Sequence, residues 1–308
     1  MLQPKVAILM CTLNGAPFLK EQLLSFVSQT HENWVLWVSD DGSNDQTLDI
    51  LQGVQADWGS DRIKIVQGPG KGFATNFISL ACRPEISADY YAFSDQDDVW
   101  LALKLQRALD LLKNEPHENA VLYGSRTQLT DATGKVLGLS KLTPRFLNFR
   151  NALVQNVAGG NTMVFNNSLR DLVRDAGPQL NIVTHDWWLY LLTTAVNGKV
   201  IFDKEPFINF RQHKHNLIGD NSTLPAKIHR FKGLFSGRLK RWIQQNHRCL
   251  TVIEHRLPPD NVQAAKALAA IHSSKLFRRI RLFKESGVRR QSPIGTFALL
   301  AAALLKQL

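Results

Sequence analysis

The sequence predicts an α/β fold in which a mostly parallel sheet is flanked by helices and followed by a basic helical extension. Strand-like and helix-like segments alternate over the first 100 residues, which is typical of consecutive β-α-β units. Lys and Arg dominate the last quarter of the chain, where helix-like periodicity continues. With 308 residues, of which 44% are hydrophobic and 20% charged, the chain is long and apolar enough to bury a core.

Four strands and three helices are predicted in this first part. Each strand is a short apolar or alternating run, and each helix has apolar residues three and four positions apart. The strands are VAILMC, WVLWVSD, RIKIVQ and YYAFS, and the helices between them are APFLKEQLLSFVSQT, QTLDILQGVQ and ATNFISLACR. Asp45 is expected to cap the second helix, and the glycine loop GPGKGF precedes the third.

The pattern changes after about residue 120. The segment AVLYGSRTQLTDATGKVLG predicts a hairpin with its turn at 132–135. A glycine loop entering a strand (NVAGGNTMVFN), an apolar helix (THDWWLYLLTTAVNG) and a strand (VIFDKEPFINFRQHKHN) follow. We therefore expect one domain over 1–224, with halves 1–120 and 121–224, and a separate basic helical region over 225–308.

The charge of the chain supports this boundary. Residues 1–224 hold 20 Lys/Arg and 23 Asp/Glu, whereas 225–308 hold 17 and 3, so the whole net charge of +11 comes from the last quarter. There, Lys and Arg alternate with Phe, Leu, Ile and Trp, which favours amphipathic helices on an anionic membrane surface. A solvated helical cap is the second interpretation, and a nucleic-acid surface is ranked last.

Several functional classes are disfavoured. The three cysteines, Cys11, Cys82 and Cys249, are sparse and far apart, which predicts a reducing compartment and no disulfide framework. The first residues lack the pattern of a signal peptide, and no apolar run reaches the ~18 residues of a membrane span. The loop GPGKGF matches neither G-x-x-x-x-G-K-[ST] nor G-x-G-x-x-G, which argues against a nucleotide-hydrolysing engine and a dinucleotide cofactor.

Polar residues follow three of the predicted strands, and parallel strands should bring these ends to one cleft. The three strand ends are Thr12-Leu13-Asn14, Asp40-Asp41 and Asp95-Gln96-Asp97-Asp98. Asp95 and Asp97 could share Mg²⁺ or Mn²⁺, which also binds the phosphate oxygens of a substrate. The alternative is a solvated acidic turn in which Asp98 caps a helix that begins near Val99.

Two later segments carry further candidates. Asp186 follows His185 at the start of an apolar helix and precedes two tryptophans, which fits a general base at an apolar pocket. A helix cap with core tryptophans is the competing interpretation. In FRQHKHN, Arg211 could neutralise phosphate and His213 could ligate the same metal, although histidines in proteins are more often structural.

Together, these segments resemble glycosyltransferase family 2, and within it the rhamnosyltransferase-like enzymes of bacterial surface-polysaccharide synthesis. The resemblance covers about residues 4–220. The motifs that carry it, in order, are VAILMCTLNGAPFLKEQLLSFVSQT with WVLWVSDDGSNDQT, GKGFATNF, FSDQDDVW, NVAGGNTMVFN, HDWW and FRQHKHN. Two positions depart from the family pattern, namely His185 where many relatives have Glu, and Phe210 where Tyr is frequent.

The resemblance implies a GT-A fold, a nucleotide-diphospho-sugar donor, a divalent metal (Mn²⁺ or Mg²⁺) and inversion at the anomeric carbon. It implies that Asp186 is the catalytic base. The expected metal ligands are Asp95, Asp97 and His213. We assign to the nucleotide sugar Thr12, Asn14, Asp40, Asp41, Gly72, Asn76, Asp95, Gln96 and Arg211. We assign to the acceptor side Gly159, Gly160, Asn161, His185, Trp187 and Trp188.

The favoured hypothesis is transfer of L-rhamnose from dTDP-L-rhamnose to a polyprenyl-diphosphate-linked or glycan acceptor, in O-antigen or capsule synthesis. We expect a cytoplasmic enzyme, peripheral on the inner face of the cell membrane through residues 225–308. One alternative is a UDP-hexose donor. Another is a binding protein that kept the fold without turnover and docks on membrane or nucleic acid. The presence of Asp95, Asp97 and Asp186 disfavours this last alternative.

Overall fold

The computed structural model describes residues 3–141, 145–213 and 237–308. The chain divides into two units. The first comprises the described residues of Met1–Leu142, Ala158–Leu180 and Ile201–Asp220, and the second those of Thr143–Val157, Asn181–Val200 and Asn221–Leu308. The predicted boundary at 224 and the start of the predicted basic region lie outside the described residues, so this division stays a prediction.

The described part of the first unit contains a nine-stranded mixed sheet. Its strands are β1 (Val6–Thr12), β2 (Trp34–Asp40), β3 (Ile63–Gln67), β4 (Tyr90–Ser94), β5 (Val99–Trp100), β6 (Val121–Asp131), β7 (Val136–Leu139), β8 (Val164–Asn166) and β9 (Lys199–Gln212). Their spatial order is β3-β2-β1-β4-β8-β6-β9-β5, and β7 pairs with β6. The predicted alternation of strands and helices is therefore confirmed.

The parallel part of the sheet consists of β3, β2, β1 and β4. Thr12 at the end of β1 pairs with Asp40 at the end of β2, and Met10 pairs with Ser94 at the end of β4. The carboxyl ends of these strands therefore lie at one edge, as predicted. Beyond β4 the pairings with β8, β6 and β7 are antiparallel, because this half is built from the predicted hairpin and a short returning strand.

The helices of this unit lie in the connections between the strands. They are α1 (Ala16–Val27), α2 (Thr47–Trp58), α3 (Phe73–Cys82), α4 (Lys104–Leu112) and α6 (Asn167–Ala176). α1 buries Leu19, Leu23 and Phe26, at helical spacing, in the same core as β1 and β2. Each such side chain contributes roughly 1.5–3 kcal/mol when fully buried.

The start of α2 differs from the prediction. Gln46, not Asp45, occupies the N-cap position. Asp45 instead accepts hydrogen bonds from the N–H groups of Thr47 (2.9 Å) and Ala16 (3.2 Å), at the starts of α2 and α1. Its carboxylate therefore accepts from the first N–H of each helix, although it lies one position before the N-cap of α2.

The described part of the second unit is helical, which confirms the helical prediction for residues 237–308. Its helices are α5 (Phe149–Ala152), α7 (His185–Ala195), α8 (Arg238–Val252), α9 (Pro259–Ala270), α10 (Leu276–Ser286) and α11 (Pro293–Leu304). The Gln291 side chain links distant segments of this unit, because it accepts from the Arg145 N–H (2.8 Å) and donates to the Phe146 carbonyl (2.6 Å). Among the described residues, no helix combines the length and apolar character that crossing a bilayer requires.

Candidate active site

Two acidic strand ends lie on either side of β1, because β1 pairs with β2 and with β4. Both ends affect the pKa of the Cys11 thiol in β1. Burial raises that pKa well above its usual range, and the charges of Asp95 and Asp41 raise it further. The predicted convergence of these strand ends is thus present in the first unit.

Asp40 organises the first of these ends. Its Oδ2 accepts hydrogen bonds from the hydroxyls of Thr12 (2.8 Å) and Ser43 (2.6 Å). Its Oδ1 accepts from the N–H groups of Gly42 (3.1 Å) and Ser43 (2.8 Å). Asp40 is buried, so its carboxylate fixes the shape of the loop after β2.

Asp41 connects this loop to the glycine loop before α3. Its two oxygens accept hydrogen bonds from the N–H groups of Gly70 (2.7 Å) and Gly72 (2.9 Å). Behind it, the buried Asn76 amide accepts from the Ser39 hydroxyl (2.5 Å) and donates to the Ser39 carbonyl (3.0 Å). Gly72 and Asn76, the two residues of this segment that were predicted to bind the nucleotide sugar, therefore lie beside the end of β2.

Gly68→Ala tests how closely these loops fit. A Cβ at Gly68 would lie 2.7 Å from Asp41 Oδ1 and 2.9 Å from both Asn76 Oδ1 and the Asp40 carbonyl. We expect a loss of about 1–3 kcal/mol in the free energy of unfolding, because these groups are held by hydrogen bonds and cannot move aside. Denaturant unfolding measures this loss.

Gly53→Ala is the matched control for that experiment. Gly53 lies inside α2, and an added Cβ there meets nothing within 4 Å. We expect this variant to gain about 0.5–1 kcal/mol, because alanine is the better helix former. Equal responses of the two variants would contradict the close contact at Gly68.

The loop after β1 is held against the other two strand ends. The Gln96 amide accepts from the Leu13 N–H (2.9 Å) and donates to the Leu13 carbonyl (3.0 Å). Asn14 adopts the left-handed conformation, with φ of 51°, and its side-chain oxygen accepts from the Asn44 N–H (2.9 Å). Asn14 and Gln96, which were predicted to bind the nucleotide sugar, therefore connect the three loops by hydrogen bonds.

The second acidic end brings three carboxylates together. Oxygen atoms of Asp95, Asp97 and Asp98 lie within 4.8 Å of one another. Asp98 is buried, and its pKa is raised well above the usual range by burial and then by the charges of Asp97 and Asp95. The interpretation of a solvated turn with Asp98 as a helix cap is wrong, since the short strand β5 follows and α4 begins only at Lys104.

Asp98 instead links this cluster to later parts of the unit. Its Oδ2 accepts from the side-chain amide of Asn161 (2.5 Å), and its Oδ1 accepts from the Arg211 N–H (3.3 Å). Asn161 lies in the short 3-10 turn Gly160–Thr162, which belongs to the predicted acceptor segment. An added Cβ at Gly159 would lie 2.8 Å from Asn161 Oδ1, so any residue other than glycine there would have to displace the Asn161 side chain.

Arg211 of β9 and His213, just after that strand, face this cluster. His213 Nε2 lies 2.9 Å from Asp97 Oδ2, and its ring stacks on Phe18 at 4.6 Å between centroids. The buried Arg211 guanidinium donates to the carbonyls of Asp97 (3.1 Å) and Ala132 (2.8 Å), and it pairs with the Glu21 carboxylate. The predicted pair is therefore brought to the predicted metal site.

These groups fit a divalent metal. Carboxylate oxygens are the ligands that Mg²⁺ and Mn²⁺ prefer, and an imidazole nitrogen is a further ligand for Mn²⁺. Asp95, Asp97 and His213 supply both kinds of atom in one place. Crowding of three acids in a partly buried position is also costly unless a cation balances them.

The predicted base lies in the second unit, in the first turn of α7. Asp186 is buried and accepts from the Trp187 N–H (2.6 Å), while the Trp187 indole donates to the Ala152 carbonyl (2.6 Å). Trp188 is fully buried, in line with the interpretation of a core tryptophan at that position. Burial lowers the pKa of His185 to about 4, although the charge of Asp186 opposes this, so the imidazole is neutral at pH 7.

Sequence reasoning missed several residues that build the first-unit cluster. Phe18 and Glu21 read as ordinary positions of α1, and no local pattern shows that they contact His213 and Arg211. Ser43 carries only the weak signal of a turn residue. Asp98 was visible beside Asp97, but no local pattern shows its hydrogen bond with Asn161, far along the chain.

Comparisons with known proteins show the family to which the chain belongs. The family described as Glycosyl transferase family 2 matches residues 7–173, more than half of the chain. The chain is 29% identical, over 231 residues, to the dTDP-rhamnosyl transferase RfbG of Shigella flexneri. That match covers 72% of this chain and 77% of RfbG.

Solved structures show the same fold at low identity. S. aureus TarS 1–349 in complex with UDP has a TM-score of 0.55 at 14% identity, covering 98% of this chain and 88% of the other. The mannosyltransferase PcManGT from Pyrobaculum calidifontis, in complex with GDP-Man and Mn²⁺, has a TM-score of 0.51 at 15% identity, covering 100% and 86%. The predicted GT-A fold is thus confirmed, and the chain belongs to glycosyl transferase family 2.

Proposed function

We propose that this glycosyltransferase is inverting and metal-dependent, and that it moves L-rhamnose from dTDP-L-rhamnose to an acceptor in bacterial surface-polysaccharide synthesis, such as O-antigen or capsule. The observation that carries the proposal is the acidic cluster of Asp95, Asp97 and Asp98 with His213 beside it. It lies at the strand ends where open α/β sheets hold their ligands. The name of the relative RfbG supports the rhamnosyl donor. A UDP-sugar is the alternative, since TarS is solved with UDP.

The donor nucleotide is assigned to the loops after β1 and β2. The Asp41 carboxylate is oriented by the Gly70 and Gly72 N–H groups, and each of its oxygens has a second lone pair for a base N–H or a ribose hydroxyl. Because the Gln96 and Asn14 bonds already fix the neighbouring loop, little ordering remains to be done when the nucleotide binds.

The donor diphosphate is assigned to the acidic cluster. Asp95, Asp97 and His213 would hold Mn²⁺ or Mg²⁺, which neutralises the charge that develops on the leaving diphosphate. Arg211 is bonded through its guanidinium to neighbouring groups of the unit. It therefore contributes a fixed positive charge near the leaving group.

Asp186 is assigned as the general base. Its carboxylate takes the proton of the acceptor hydroxyl while that oxygen forms a bond to the anomeric carbon, and the bond from that carbon to the diphosphate oxygen breaks on the opposite face. One displacement inverts the anomeric configuration. The Trp187 N–H orients the carboxylate. Because the lowered pKa of His185 keeps its imidazole neutral, no positive charge lies on the residue next to the base.

The acceptor is proposed to be a polyprenyl-diphosphate-linked or free glycan. We assign to its side of the site Gly159, Gly160, Asn161, His185, Trp187 and Trp188. The basic residues of 225–308 would hold the enzyme at the inner, cytoplasmic face of the cell membrane, where a lipid-linked acceptor lies. Nucleic acid remains the disfavoured partner.

Calorimetric titration of the purified protein with dTDP-, UDP- and GDP-sugars, with and without Mn²⁺, tests the proposal. We expect binding of dTDP-L-rhamnose that requires Mn²⁺. Metal-dependent binding of a UDP-sugar alone would show that the proposed donor is wrong and would support the proposed site. If the folded protein binds no nucleotide sugar, the proposal fails in favour of a binding protein without turnover.

A further inference from the structure

The helix α11 exposes apolar side chains that the described part of its unit does not cover. Its sequence, PIGTFALLAAAL, contains no charged residue. Ala298, Leu299 and Ala302 are buried, whereas Ile294 is 80% and Phe297 73% exposed. A helix that is apolar on its exposed side as well as its buried side normally faces an apolar medium or a partner. At 12 residues it is too short to cross a bilayer.

The neighbouring helix α10 adds a further apolar residue and a set of cations. Phe277 is 86% exposed. Arg279 donates to the Leu304 carbonyl at the end of α11, which joins the two helices. Exposed cations on and next to α10 are Lys275, Arg278, Arg281 and Lys284. We call these residues, with Ile294, Phe297 and Phe277, the α10–α11 face.

The sequence that contains the α10–α11 face carries almost entirely positive charge. Residues 271–308 contain eight Lys/Arg and a single acidic residue, Glu285. Glu285 pairs with Arg281 at 2.9 Å, which leaves the other cations of the face without a compensating acid nearby in sequence. Exposed apolar groups rimmed by cations match the two components of an anionic lipid surface, namely acyl chains and negatively charged headgroups.

We propose that the α10–α11 face docks on an anionic membrane, with Ile294, Phe297 and Phe277 entering the interface and Lys275, Arg278 and Lys284 on the headgroups. This inference rests on the membrane location in the proposed function and assigns it to particular side chains. A second copy of the chain is disfavoured, because a symmetric contact would bring two positive rims together. A phosphate backbone would attract the cations but offers no apolar surface for Ile294 and Phe297.

Flotation with vesicles tests the proposal on the full chain. The vesicles are phosphatidylcholine alone or phosphatidylcholine mixed with phosphatidylglycerol. We expect binding only to the mixed vesicles, weakened by added salt. Ile294→Ser with Phe297→Ser should lower the partition coefficient by about 100-fold, at about tenfold for each side chain. Arg278→Gln with Lys284→Gln should lower it by about 30-fold.

Leu24→Ser is the matched control. Leu24 is a 67% exposed leucine on α1, in the first unit and away from this cationic region of the sequence, so its loss should leave vesicle binding unchanged. The proposal is overturned if the wild-type chain does not float, or if both double variants float like wild type. It is also overturned if sedimentation shows that the wild type is a dimer and that the apolar double variant is a monomer. Binding of a DNA duplex without binding of any vesicle would overturn it as well.

Donor binding separates this proposal from the proposed function. Both double variants should bind the nucleotide sugar as the wild type does, measured by the same calorimetric titration. Failure of every protein to bind a donor would reject the proposed function while the vesicle result stands. Normal donor binding without vesicle binding would reject only the docking face.

Discussion

Asp186→Asn is expected to lower the rate of sugar transfer by about 10³–10⁴-fold while leaving donor binding within a factor of a few. The reason is that a general base accelerates the chemical step by up to this factor. The amide that replaces the carboxylate cannot take the proton of the acceptor's hydroxyl group. The substitution is otherwise conservative. Asparagine keeps the Oδ1 that accepts from the Trp187 N–H, so the first turn of α7 should be preserved.

Three measurements make this result specific. Release of the nucleoside diphosphate in the presence of acceptor gives the transfer rate, calorimetry gives donor affinity, and circular dichroism with thermal unfolding shows that the variant is folded. Asp171→Asn is the matched control, since it removes an exposed carboxylate on α6 of the first unit and should leave transfer unchanged. Transfer near the wild-type rate in Asp186→Asn would mean that another group is the base.

The strand ends of this site could be predicted because each depends on a local pattern. The buried runs of β1, β2 and β4 each end abruptly in polar residues, and parallel pairing then places those ends side by side. Asp41 and Asp95 are therefore found near each other without any knowledge of the loops. The glycine loop before α3 follows for the same reason, since it ends the next strand of the same parallel array.

The remaining contacts could not be predicted because their partners are distant in sequence. Glu21 and Arg211 are 190 positions apart, and Asp98 and Asn161 are 63 apart. Such pairs follow from how β9 and the turn before β8 return to the sheet, and β8 is only three residues long. A strand that short carries almost no periodicity, so the pairing of β8 with β4 and β6 could not be predicted.

The assignment of 181–200 to the second unit has the same origin. The hydrophobic pattern of α7 predicts a buried helix, but not which elements bury it. Segments 143–157 and 181–200, which the hydrogen bond from the Trp187 indole to the Ala152 carbonyl joins, lie before the charge boundary near residue 224 and yet belong to the second unit. Charge describes surface composition, whereas the division into units depends on packing.

Asp97→Asn is expected to weaken Mn²⁺ binding by at least about 100-fold and to lower transfer by about 10³-fold. The expectation rests on the position of Asp97, whose carboxylate lies within the three-acid group and 2.9 Å from His213 Nε2. Removing its charge leaves the site with one fewer anionic ligand and an imidazole without its carboxylate partner. Metal affinity is measured by Mn²⁺ paramagnetic resonance, which needs no donor or acceptor.

The matched control and the direction of each effect distinguish a ligand from a structural residue. Asp110→Asn on α4 removes an exposed carboxylate that pairs with Lys113, and it should change neither Mn²⁺ affinity nor transfer. If Asp97 is a ligand, donor binding in Asp97→Asn should also lose its dependence on Mn²⁺, because the cation and the diphosphate bind together. A variant that keeps wild-type Mn²⁺ affinity but loses transfer would show that Asp97 only positions His213, and the metal would then have to be assigned to Asp95 and Asp98 instead.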